Sequence, residues 1–192
     1  MKHILIIITL FCSVHAFAQK HEGKLLKTSD DSWKEEIIPM PLHFAPQIPF
    51  KGVEEIRFAK GWSKKEDATF WTYAFVWYID LTTILTTNQL ESYMQYYFDG
   101  LMTVVNKDKS KVLPKTVALF LEKDDAYFVG KIQLYDAFHT KDLITLYCTV
   151  QQYYCEEQQK SMVLFRLTPK AFGHSIWDEL LTVELKEKPC EK

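Results

Sequence analysis

The sequence predicts an α+β fold: a largely antiparallel sheet of about six strands, with one long helix packed on a face and a short C-terminal helix. Three observations carry this reading. Phe70 to Ile79 alternates large aromatic and smaller side chains, as a strand does when successive residues point to opposite faces. Leu90 to Val104 repeats apolar residues at helical spacing. The other apolar runs follow one another through short polar turns, which favours antiparallel neighbours.

The chain opens with a signal-peptide pattern over residues 1–18. Lys2 supplies the positive charge, Ile4 to Val14 the apolar run and Ala16-Phe17-Ala18 the small-residue cleavage site. The run is shorter than the roughly 20 residues a membrane span needs. Leu10 and Phe11 before Cys12 are too large for a lipidation signal, so the expected product is exported, periplasmic or secreted, without a lipid anchor. It would begin at Gln19. Loss of Lys2 makes it one unit more negative than the −2 of the whole chain, a balance that gives no pull towards nucleic acid or anionic lipid.

Residues 19–35 are polar and read as a mobile arm; residues 36–192 read as a single globular domain. Within it, residues 36–52 carry Pro39, Pro41, Pro46 and Pro49 among apolar neighbours. Proline forbids helix there, so an extended strap is expected, held down by Ile37, Ile38, Leu42, Phe44 and Ile48. Val53 to Ala59 is the first expected strand. Phe70 to Ile79 is the second, apolar on both faces and therefore interior to the sheet. Thr86-Thr87-Asn88-Gln89 offers a capping box ahead of the helical stripe Leu90, Tyr93, Met94, Tyr97, Leu101 and Val104. Strands then follow over Val117 to Glu122, Ala126 to Asp136, Leu143 to Cys155 and Ser161 to Thr168, with a tight turn at Asp124-Asp125. Ser175 is placed to start the short C-terminal helix. At the level of fold, this order resembles the PsbP-like antiparallel α/β sandwiches, and fold alone does not carry function.

Candidate chemistry is sparse. Glu54 and Glu55 are adjacent on a strand and so face opposite ways, which is wrong for a carboxylate pair sharing one proton. Either could pair with Arg57, and Glu55 lies on its face two residues before it. The histidines of the domain, among them His43, His139 and His174, lie far apart and outside any metal-binding motif, so no metal is expected. No nucleophile elbow, phosphate loop or dinucleotide fingerprint is present, and no cofactor is implied. Aromatic residues are the one excess, at 15%. Trp71 and Tyr73 on the aromatic strand and Trp62 in the polar loop after Gly61 are the candidate ligand-binding residues. The competing reading is that strand and helix simply pack ring on ring, with Trp62 folded back over the sheet edge.

Cleavage would leave Cys148, Cys155 and Cys190. Cys148 and Cys155 are seven residues apart on one expected strand, about 23 Å, far beyond disulfide reach. Cys155 with Cys190 is the expected pair, a strand end tied to the tail.

The stretches Leu42-His43-Phe44-Ala45-Pro46, Gly52-Val53-Glu54-Glu55-Ile56-Arg57-Phe58 and Phe70-Trp71-Thr72-Tyr73-Ala74-Phe75-Val76-Trp77 resemble a family of uncharacterised exported bacterial proteins. The resemblance implies export and a single domain, and nothing about chemistry. Three functional classes remain. The first is a non-enzymatic exported domain binding a protein or cell-envelope ligand. The others are an envelope hydrolase with a site assembled from scattered residues, and a carrier of a small apolar ligand. A cleft with converging polar groups near Glu54 or His139 would favour the hydrolase, and an apolar cavity the carrier.

Overall fold

A computed structural model of the chain describes residues 25–29 and 31–186. The signal-peptide pattern, Gln19 and Cys190 lie outside the described residues. Among the described residues, nine strands and two α-helices follow in the order β1 (Leu26–Lys27), β2 (Lys34–Met40), β3 (Gly52–Phe58), β4 (Tyr73–Ile79), α1 (Thr87–Val105), β5 (Val117–Asp124), β6 (Tyr127–Tyr135), β7 (Leu143–Cys155), β8 (Lys160–Thr168), α2 (Ile176–Leu181) and β9 (Glu184–Leu185). Seven strands form one antiparallel sheet in the order β2-β3-β4-β8-β7-β6-β5, and β1 pairs with β9 in a small second sheet. The fold is α+β, as the sequence predicts.

The aromatic strand is interior. Tyr73, Phe75, Trp77 and Ile79 of β4 enter the core beneath α1, while Ala74 and Val76 enter a second core on the opposite face with α2 and Trp33. Helix α1 begins at the expected capping box: the Thr86 hydroxyl accepts from the Gln89 N–H, and the Gln89 side chain accepts from the Thr86 N–H. The helix spans from β4 to the far edge of the sheet, where its acids meet the outermost strand. Glu91 accepts from the Phe120 N–H at 3.0 Å and Asp99 from the Thr116 N–H at 2.8 Å. These contacts occupy edge donors that would otherwise invite another strand.

Two expectations are corrected. The strap does not run the whole of 36–52. Its first part is strand β2, paired with β3 from Lys34↔Phe58 to Met40↔Gly52, which raises the main sheet from six strands to seven. Pro39 is tolerated because β2 is an edge strand with one side unpaired. Ile37 is consequently half-exposed, whereas Leu42, Phe44 and Ile48 are buried as expected. The strap proper crosses α1 closely at Gly100, where a Cβ would collide with the Phe44 carbonyl.

The segment read as a mobile arm is docked where it is described. Leu26 is 1% exposed and sits in the second core, and Trp33 is buried beside it. The buried Glu55 carboxylate accepts from the N–H groups of Leu25 at 2.6 Å and Leu26 at 3.1 Å. Arg57 pairs with Glu55 at 2.5 Å and Glu35 at 2.9 Å and donates to the Leu26 carbonyl at 3.3 Å. A buried ion pair is tolerable only with its remaining hydrogen-bonding capacity filled, and the β1 backbone fills it here.

Candidate functional site

The helical stripe of α1 outruns the core beneath it. Leu90, Met94 and Tyr97 are buried, but Leu101 is only half-buried and Val104 is 52% exposed. Residues 97, 101 and 104 lie on one helix face and form one wall of a cleft of about 370 Å³. Edge strand β2 and its neighbour β3 form the floor with Ile38, Ile56 and Phe58, and the strap contributes His43 and Phe44. Two loops complete the far wall with Trp62, Trp71 and Phe138. Close packing is the rule in protein interiors, so a cleft of this size in an apolar layer is a feature in need of a reason.

The geometry of the aromatic end is specific. Trp62 stacks on Phe58 with centroids 4.4 Å apart and meets Trp71 at 89° and Phe138 at 77°. Trp71 stands just before β4 with φ of 51°, a conformation that bulky side chains rarely adopt. It is held there by its N–H donating to the Trp62 carbonyl at 2.8 Å. Phe138 is presented by a loop organised around Asp136. That carboxylate accepts from the N–H groups of Phe138, His139 and Thr140 and from the Thr140 hydroxyl. Burial alone would raise the Asp136 carboxyl; the Thr140 and His139 donors hold it below the ordinary value.

Each sequence candidate now has a place. Trp62, Trp71 and Tyr73 all line the cleft. Trp62 does fold back, onto Phe58, so both readings of it meet in one arrangement. Tyr73 is buried at the inner end beside Phe75. His139 packs against Trp62, Phe70 and Trp71 behind the wall, with its Nε2 buried and unpartnered. Tyr97, Phe138 and Glu36 were not singled out as site residues. The available signal for Tyr97 was its position on the helical stripe.

Glu54 and Glu55 split as their alternation requires. Glu55 goes to Arg57 on one face. Glu54 lies fully buried under α1, where Trp77 Nε1 donates to it at 2.5 Å and the Tyr97 hydroxyl at 3.0 Å. Burial pushes the Glu54 carboxyl up from its ordinary 4.5 to about 7, against the pull of the Trp77 and Tyr97 donors, and the nearby Glu36 charge adds to the rise. Burial likewise raises the Tyr97 hydroxyl well above its usual range. Glu54 is not part of the cleft wall; Tyr97 stands between them.

Family models, curated proteins and solved structures give no match to this chain.

Among the described residues, no three His, Cys, Asp or Glu side chains converge as a metal site requires, and no helix is long and apolar enough to cross a membrane. Cys155 is disulfide-bonded, and Cys148 is a free, buried thiol whose acidity is suppressed by burial.

Proposed function

We propose that this protein is an exported binding module that holds a small, mostly apolar ligand in the cleft between α1, the β2–β3 edge and the Trp62/Phe138 loops. One observation carries the reading: an aromatic-walled cleft of about 370 Å³ that side chains leave unfilled at the edge of the main core. Small-molecule sites are concave and mainly apolar, from about 300 Å³ upwards. The walls come from helix, strand, strap and loop together, so the shape is fixed by the fold rather than by one movable segment. The carrier class is thereby favoured over the hydrolase. Glu54, whose carboxyl burial pushes up, is 0% exposed and already engaged by Trp77 and Tyr97.

A neutral fluorescent probe tests the site. N-phenyl-1-naphthylamine is expected to bind saturably and at one site. Leu101→Trp, which adds a large ring at a half-buried wall position, is expected to abolish binding with little change in unfolding temperature. Equal binding by the variant would move the ligand elsewhere and end this reading.

Export has its own check. Intact mass of protein recovered from outside the cytoplasm is expected to start at Gln19, free or cyclised. Alkylation under denaturing, non-reducing conditions is expected to add one group, at Cys148, with Cys155 and Cys190 joined. A chain retaining Met1 or a diacylglycerol on Cys12 would contradict cleavage before Gln19, and three alkylated cysteines would contradict the Cys155–Cys190 bridge.

A further inference from the structure

We propose that the cleft selects an organic cation, an ammonium group on an apolar body, held against the aromatic walls and paired with Glu36. The proposal rests on the cleft being a ligand site and concerns which ligand it takes. Its first support is the character of the lining. Among the described residues, no Lys or Arg lines the cleft, and Glu36 is its one carboxylate. Glu36 pairs in register with Ile56 on β3, as Ile38 pairs with Glu54, so Glu36 stands on the α1 side of the sheet at the cleft mouth. An anionic ligand would find no Lys or Arg counter-charge there.

The second support is the aromatic box along the far wall, next to Phe58 and so close to Glu36 on the paired strand. Trp62, Trp71 and Phe138 present rings at steep angles to one another, so the cleft is bounded by aromatic surfaces from several directions. Ring faces carry negative quadrupole charge and attract a cation within about 6 Å, most strongly for tryptophan. The third is the field. The Glu36 charge is felt at Glu54 and Tyr97, so a cation near Glu36 would relieve a repulsion already built into the site. A sugar fits less well, because its many hydroxyls would meet mostly apolar wall.

The test uses two isosteres that differ in charge, 4-(trimethylammonio)phenol and 4-tert-butylphenol, and an anion on the same tert-butylphenyl body, 4-tert-butylbenzoate. Binding to the full domain is followed by calorimetry. The ammonium compound is expected to bind about tenfold or more tighter than its neutral isostere, and the benzoate weakest. Glu36 is exposed, so Glu36→Gln is expected to leave the fold intact and to reduce that ratio severalfold. Trp62→Leu, which keeps apolar bulk but removes the ring, is expected to weaken the ammonium compound more than the tert-butyl compound. Equal affinity for the ammonium and neutral compounds, or preference for the benzoate, overturns the cation inference and leaves the ligand site standing. No binding of any probe, together with no response to the naphthylamine, overturns both.

Discussion

Trp77→Ala is expected to lower the free energy of unfolding by about 3–5 kcal/mol, the range for a large aromatic removed from a core. The side chain is fully buried. It packs against Phe165 at 4.8 Å, Phe75 at 5.9 Å and Tyr97 at 6.4 Å, so the cavity would open between β4, β8 and α1. A second loss adds to the first. The indole N–H is one of the two side-chain donors to the buried Glu54 carboxyl, and its removal leaves Oε2 without that partner. Trp77→Phe separates the two effects, since it keeps much of the ring and removes only the donor. Urea unfolding followed by far-ultraviolet circular dichroism measures both variants. A Trp77→Ala protein within about 1 kcal/mol of wild type, the usual range of a surface change, would mean that β4 is not interior.

The elements legible in the sequence are those whose signal is local. The odd positions of β4 need only the strand period, and Thr86 with Gln89 only the first turn of a helix. The Glu55–Arg57 pair needs only two residues on one face of one strand. What escaped depends on partners far along the chain. Strand β2 was hidden by Pro39, which argues against a strand until one knows that the strand is an edge. Strand β1 is two residues long, too short for any period, and its docking comes from Glu55 and Arg57 about thirty residues on. The cleft was hardest of all. Trp71 was read with Tyr73 as one strand face, but the chain turns at Trp71 before β4 begins, and that turn carries the indole to the wall with Trp62. The unfilled end of the α1 stripe is a shortfall of neighbours, and a sequence records its apolar residues without recording what fails to cover them. Leu101 and Val104 read as core positions for that reason.

Glu54→Gln is expected to remove a pH dependence of stability worth about 3 kcal/mol, the product of the rise from 4.5 to about 7 and the free energy of one pKa unit. Below pH 4.5 the carboxyl is protonated in both folded and unfolded chains, and its contribution is fully present. Between pH 4.5 and about 7 the folded chain keeps the proton that the unfolded chain gives up. Stability therefore falls as pH rises through this window and levels off above it. Asp136 works in the opposite sense at lower pH, because its carboxyl is held below the ordinary value in the folded chain. That contribution is common to wild type and variant and cancels in their difference. The quantity to measure is the wild-type minus Glu54→Gln unfolding free energy from urea titrations across this window. It should drop by about 3 kcal/mol with a midpoint set by the burial of Glu54. Tyr97→Phe, which takes away one donor to the ionised form, should move the upper limit of the window to higher pH, and Glu36→Gln should move it lower. Parallel stability profiles for wild type and Glu54→Gln would mean that Glu54 is solvated, and the core beneath α1 would then have to be wetter than Trp77 and Tyr97 make it.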